Sequence, residues 1–369
     1  MITFAGMSRV VIILLLVTTS LFGQNEEPKH HFADAHYYYG TLLRHNKNVS
    51  HLVTDHPQGF IFGYNWKTRG EKYWQESYNY PDWGISLLYQ DMGNEALGRN
   101  YGIYGHFNFY FLNRNLQLRL AQGIAYNTNP FDINTNFKNI SYGSDILISS
   151  YFLLNYKKEN ILNGLGVQGG LAFVHSSNGS FRAPNSGTNI VALNLGLVYN
   201  VDHEREITYL IDENPRNYNE RITYNFVLRG GVNEGDFFNL GQHPFLVLSA
   251  FADKRFNYQS TVQLGVEVFF SKFLEKEIEY LSIAFDDRLN GDEDYKRVSV
   301  FVGHEFRLGK FAIPTQVGYY IYWPYEYESR VYQRLGVKYY FNEKIFGVST
   351  VKVHGANAEA IEFGVGIRL

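Results

Sequence analysis

From Phe60 to the last residue, the chain is a succession of runs about ten residues long, rich in Val, Ile, Leu, Phe and Tyr and parted by clusters of Asn, Gly, Asp and Pro. Runs of that length and composition, bounded by turn formers, are strands. The pattern predicts strands over 60–66, 83–91, 101–112, 116–127, 141–156, 162–177 and 189–201. A second set follows over 222–232, 244–251, 261–270, 297–308, 311–323, 332–341, 345–353 and 361–369. Leu116, Leu118 and Leu120 alternate with Gln117, Arg119 and Ala121, and Phe363, Val365, Ile367 and Leu369 keep one face apolar to the end of the chain. One helix is expected over 271–281, with Lys272, Glu275, Lys276 and Glu279 on its outer side. Long polar inserts at 203–219 and 286–296 read as loops on one rim.

A chain made of strands must dispose of its edges, and closure into a barrel removes them all. The expectation is an all-β fold: an antiparallel transmembrane outer-membrane β-barrel of about 14 strands, within a range of roughly 12–16. The competing solution is a soluble β-sandwich, with one face of each strand buried and the other polar. Composition bears on the choice. Aromatics make up 17% of residues, with 30 Tyr and 29 Phe, and charged residues only 19%. That profile suits the aromatic girdles of a membrane barrel, and the four Trp, at Trp66, Trp74, Trp83 and Trp323, are read at strand ends. A net charge of −3 supplies no basic footprint, so no nucleic-acid partner is expected. With 0 Cys, disulfides, thiolate metal sites and a Cys nucleophile are excluded together.

The first 23 residues read as a secretory signal, with Arg9 as the positive region, Val10 to Val17 as the apolar region and Ser20-Leu21-Phe22-Gly23 as the cleavage site. A membrane anchor is the alternative, but the apolar run falls short of the roughly 18–20 residues a span requires. Residues 24–58 are expected to form a periplasmic or plug-like segment, and 59–369 the barrel. His45, His51 and His56 lie in that N-terminal segment without a Cys or a close carboxylate pair, so no metal site and no cofactor is assigned.

The most informative stretch is 164–200. Alternate residues place Leu171, Phe173, His175 and Ser177 on one face of a strand, and Asn189, Leu193 and Leu195 on the same face of the next. A His and a Ser two apart thus end an apolar stripe, beside the 180–187 turn. A neutral imidazole within reach of a hydroxyl can take its proton during attack on an ester carbonyl, and a third group can fix the imidazole tautomer. Asn178 and the Gly179 N–H follow at once, and donors beside a nucleophile are what a developing oxyanion needs. Ser and Asn beside a turn are also ordinary hairpin chemistry, and a His at a barrel rim is often only an interfacial polar residue.

At these residues the chain resembles the PagL-like lipid A 3-O-deacylase family, through His175-Ser176-Ser177-Asn178 and the turn Pro184-Asn185-Ser186-Gly187. A looser likeness extends over 60–201, including Tyr80-Pro81, Gly84-Ile85-Ser86 and Gly123-Ile124-Ala125-Tyr126. The resemblance implies an outer-membrane barrel that removes an acyl chain from lipopolysaccharide without metal or cofactor. It implies Ser177 as nucleophile, His175 as general base, and Asn178 with the Gly179 N–H as oxyanion hole. The family carries Glu where this chain has Asn189, which can orient the histidine but not stabilise its imidazolium by charge. Leu171, Phe173, Leu193 and Leu195 are expected to bind the acyl chain. Residues 202–369 are outside the resemblance and read as extra strands. The alternative function is a non-catalytic barrel, a channel or structural protein, with a relic site.

Overall fold

Strand alternation governs the architecture, but with the polarity of a water-soluble barrel reversed. The computed structural model describes residues 30–45, 47–212, 220–235, 237, 240–285, 289–355 and 357–369; the expected signal over 1–23 lies outside them. Among the described residues sixteen antiparallel strands close as two eight-stranded barrels, in place of the single barrel of about fourteen strands that the pattern suggested. The total stands at the upper limit of the expected range.

The first barrel comprises β1 (His31–Leu42), β2 (Gln58–Trp66), β3 (Asp82–Asp91), β4 (Arg99–Phe111), β5 (Leu116–Asn127), β6 (Ile146–Leu162), β7 (Leu165–Ser177) and β8 (Thr188–Asn200). It closes through β1 against β8, with Tyr37 opposite Leu195. The second comprises β9 (Thr223–Asn233), β10 (His243–Arg255), β11 (Ser260–Ser271), β12 (Arg297–Leu308), β13 (Phe311–Tyr322), β14 (Val331–Tyr340), β15 (Ile345–His354) and β16 (Asn357–Arg368). It closes through β16 against β9, with Val365 opposite Leu228. Two expectations change. The segment read as plug-like contributes β1 to the barrel wall. The insert beginning at 203 leads from one barrel to the next.

Along the strands many Leu, Ile, Val, Phe and Tyr side chains point outward and stay exposed, whereas many Asn, Gln, Arg, Glu and Asp side chains point inward and are buried beside a smaller set of apolar groups. That is the arrangement of a barrel whose outside meets lipid. Eight strands leave room inside only for side chains. In the first barrel Arg119 donates to both carboxylate oxygens of Asp34 at 2.9 and 2.5 Å, and to Asn108 Oδ1 at 2.7 Å. Nearer the site, the interior turns apolar, with Tyr142, Leu147 and Ile190 buried together. The 3₁₀ turn Lys47–Leu52 adds Val49 and Leu52 to that cluster. In the second barrel Arg334 bridges Glu267 and Glu362, and Lys338 and Tyr340 both donate to Glu305.

Two short helices lie outside the walls. Helix α1 (Tyr73–Ser77) sits between β2 and β3; α2 (Lys272–Ala284) follows β11, close to the expected 271–281. Phe273, Leu274, Ile278 and Leu281 of α2 are buried, while Lys272 pairs with Glu275 and Lys276 with Glu279 on the outside. Among the described residues no helix is long and apolar enough to cross a membrane. The barrels touch at both rims. At the rim carrying α1, Tyr73 packs on Tyr258 with ring centroids 4.0 Å apart, and Gln259 Nε2 donates to Ser77 O. The opposite rim holds the site.

Candidate active site

His175 and Asn189 are cross-strand partners in the antiparallel pairing of β7 with β8, and both side chains face outward. Asn189 Oδ1 lies 2.7 Å from His175 Nδ1. A carbonyl oxygen only accepts, so Nδ1 carries the proton and Nε2 keeps its lone pair, the tautomer a general base requires. Asn189 is itself held, since its backbone carbonyl accepts from Leu43 N–H at 2.8 Å. Behind the pair, on the lumen side, Tyr104 donates to Ser149 Oγ, which donates to the His175 carbonyl at 2.9 Å. Tyr142 and Thr188 join their hydroxyls in the same layer.

Ser177 ends β7 on the face that carries His175, and only 8% of it is exposed. Its Oγ donates to Asn185 Oδ1 at 3.0 Å and accepts from Gly179 N–H at 2.9 Å. Asn185 Oδ1 also accepts from Asn178 N–H at 2.9 Å, so the Pro-Asn-Ser-Gly turn clasps Ser177 and Asn178 through one amide oxygen. Gly187 closes the turn in the left-handed region, where a Cβ would lie 3.3 Å from Ser177 Cβ and 3.7 Å from His175 Cε1. The backbone therefore passes close to both groups, as only glycine permits.

Of the two expected oxyanion donors, the Gly179 N–H lies at Ser177 Oγ. The Asn178 side chain is turned into the loop: Nδ2 donates to Arg182 O at 2.6 Å, and Oδ1 accepts from Ser180 N–H at 3.1 Å. In this arrangement it shapes the turn instead of presenting a donor beside Ser177. Sequence reading placed Asn185 in the motif but assigned it no contact; its position two residues before Gly187 was the available signal.

The expected acyl-binding residues share the outer face. Leu171 opposes Leu193 and is 52% exposed against 70% for its partner, and Leu195, opposite Gly169, is 72% exposed. Phe173 stacks on Phe152 of β6 with centroids 6.0 Å apart. Six residues of strand separate Leu195 from Asn189, so the stripe offers about 20 Å of apolar wall below the polar pair. His45, His51 and His56 do not converge: they meet Ser186 O, Lys138 O and Gly40 O. Among the described residues there is no group of three or more His, Cys, Asp or Glu arranged to hold a metal ion.

Comparisons with known proteins bear on the family of each barrel. Residues 58–198 match the family model described as lipid A 3-O-deacylase (PagL). Residues 222–369 match the model described as acyloxyacyl hydrolase, C-terminal domain. The second match corrects the reading of 202–369 as extra strands outside any resemblance, since those strands form a barrel with its own family counterpart. No curated protein matches the chain. Among solved structures, two variants of the Rhodopseudomonas blastica porin align with it. One shows 10% identity over 93% of this chain and 100% of that chain, with a TM-score of 0.20. The other shows 11% identity over the same shares, with a TM-score of 0.19. These scores lie below the level at which a shared fold is read.

Proposed function

Because the chain belongs to the lipid A 3-O-deacylase (PagL) family, its first barrel matching the deacylase model and its second the C-terminal domain model, we propose that it is an outer-membrane serine esterase. Its substrate is lipid A or a related acylated lipid, and water is the final acyl acceptor. The observation that carries this reading is the His175 imidazole, oriented by Asn189 at the end of a lipid-facing apolar stripe, two residues from a buried serine hydroxyl.

The chemistry follows from the atoms present. The Ser177 hydroxyl turns from Asn185 toward His175 Nε2, which takes the proton as Oγ attacks the ester carbonyl. The oxyanion forms beside the Gly179 N–H, a backbone donor already directed at Ser177 Oγ. His175 then returns the proton to the departing sugar alkoxide, leaving an acyl-serine. Water, deprotonated by the same imidazole, cleaves that ester and regenerates the hydroxyl. The acyl chain lies along Leu171, Phe173, Leu193 and Leu195, outside the barrel, while the polar headgroup stays at the rim. No step calls on a metal or cofactor.

A packed lumen argues against a channel, since buried arginines and carboxylates fill both barrels. A relic site is favoured by one observation, the amide of Asn189 where a carboxylate would stabilise the imidazolium. Purified protein in detergent, incubated with lipopolysaccharide, tests the reading. Fatty acid should be released by the wild-type chain and not by Ser177→Ala; equal release from both would overturn it.

A further inference from the structure

Residues 179–183 follow the nucleophile directly, and they are tied to the second barrel. Glu234, just beyond β9, donates its backbone N–H to Ser180 O at 2.9 Å. Its carboxylate accepts from Ala183 N–H, also at 2.9 Å. Ser180 Oγ donates to Ala358 O in β16 at 2.5 Å, and Gln242 Nε2 donates to Phe181 O at 2.7 Å. Ile361 of β16 lies against Gly179 so closely that a Cβ there would fall 2.3 Å from Ile361 Cγ1.

These ties act on an unusual backbone. Gly179 and Ser180 both lie in the left-handed region, at φ 61° and 60°. A serine holds that conformation only where its surroundings over-determine it. Part of those surroundings is the other barrel: Ser180 is bonded to it through its carbonyl and its hydroxyl, while its N–H donates to Asn178 Oδ1 within the loop. The same two residues aim the Gly179 N–H at Ser177 Oγ. Within the loop Asn178 Nδ2 donates to Arg182 O, Asn185 Oδ1 accepts from Ser177 Oγ and Asn178 N–H, and the N–H groups of Ser180 and Phe181 donate to Asn178 Oδ1 and O, so the bonds to the second barrel add to ties the loop makes with itself.

We propose that the second barrel braces the loop following the nucleophile, with Glu234 and Ile361 as positioning residues that hold the Gly179 N–H at Ser177 Oγ. This rests on the reading of Ser177 as nucleophile, but the brace has a consequence independent of it. A loop tethered to β16 and Glu234 exchanges its amide hydrogens slowly, and a loop cut from them exchanges quickly. Glu234→Ala removes the acceptor for Ala183 N–H, whereas Glu234→Gln keeps an oxygen there.

The test measures hydrogen exchange of residues 178–187 and hydrolysis of lipopolysaccharide, on the full chain in detergent micelles, for wild type and both variants. In Glu234→Ala, exchange over 179–183 should quicken about tenfold. Its kcat should fall roughly ten- to a hundredfold with KM unchanged, as expected when a catalytic group is misplaced without loss of substrate contact. Glu234→Gln should recover both. Wild-type exchange in Glu234→Ala, or faster exchange with wild-type kcat, overturns the proposal. Should Ser177→Ala hydrolyse lipid at the wild-type rate, the nucleophile reading fails by itself, and the exchange result alone decides the brace. Where Glu234→Ala does not migrate on a gel as a folded barrel, Ile361→Ala takes its place with the same expected results.

Discussion

His175 Nδ1 and Asn189 Oδ1 stand 2.7 Å apart across the β7–β8 pair, a contact that sets the tautomer of the imidazole without lending it charge. In the proposed reaction His175 becomes an imidazolium, which an amide oxygen stabilises far less than a carboxylate would. Asn189→Glu should therefore raise kcat, by about ten- to a thousandfold. Asn189→Ala should lower it, because the ring is then free to turn. Steady-state hydrolysis by the two variants decides this; an unchanged rate in both would show that the contact has no part in the reaction.

Gly179 has two reasons to lack a side chain. Its φ of 61° is left-handed, and the space a Cβ would enter is filled by Ile361. The conformational cost of a non-glycine residue there is about 1–2 kcal/mol, before any displacement of Ile361. Gly179→Ala is expected to leave both barrels folded, as judged by heat-modifiable migration, and to reduce kcat at least tenfold, the scale seen for loss of one oxyanion donor. A fully active Gly179→Ala protein would remove that N–H from the mechanism.

The stripe of Leu171, Phe173 and Leu193 faces outward, where it contributes nothing to a packed interior. Truncation should be felt by the substrate. Leu171→Ala is predicted to lower kcat/KM about ten- to a hundredfold, from the roughly 1.5–3 kcal/mol that a buried side chain of this size contributes. Thermal stability in micelles should stay near that of the wild type. Loss of stability with intact kcat/KM would make the stripe a structural feature only.

Inside the first barrel, Arg119 and Asp34 are fully buried and joined by two hydrogen bonds. Arg119→Ala leaves the carboxylate buried without its guanidinium, with only His36 Nε2 and Asn65 Nδ2 beside it, a change that costs about 3–5 kcal/mol. Urea unfolding in detergent should register the loss. A stability within about 1 kcal/mol of wild type, the range of exposed ion pairs, would mean that other lumen groups take over Asp34.

The strands were legible because alternation survives whichever face is apolar; their inner polar residues caused the errors. In β1, Asp34 and His36 point into the lumen among Phe32 and Tyr38, so the segment reads as polar and was placed outside the wall. Strand β6 was expected to stop at Tyr156, yet it continues to Leu162 because Lys157 and Glu159 pair with each other. Closure left no local mark. Nothing in the period of β8 or β9 tells that β8 returns to β1 and β9 to β16, and the insert between them resembles any long rim loop. At the site, parity alone brought His175, Asn189 and the apolar stripe to one face. The contacts of Glu234, Ala358 and Ile361 with the loop join residues separated by more than fifty positions, and sequence spacing carries no signal of that kind.

The most direct measurement is mass spectrometry of lipid A from cells expressing the wild-type chain or Ser177→Ala, both located in the outer membrane. The account predicts lipid A lacking one acyl chain with the wild type, and intact lipid A with Ser177→Ala. Loss of the chain in both strains, or in neither, would contradict it.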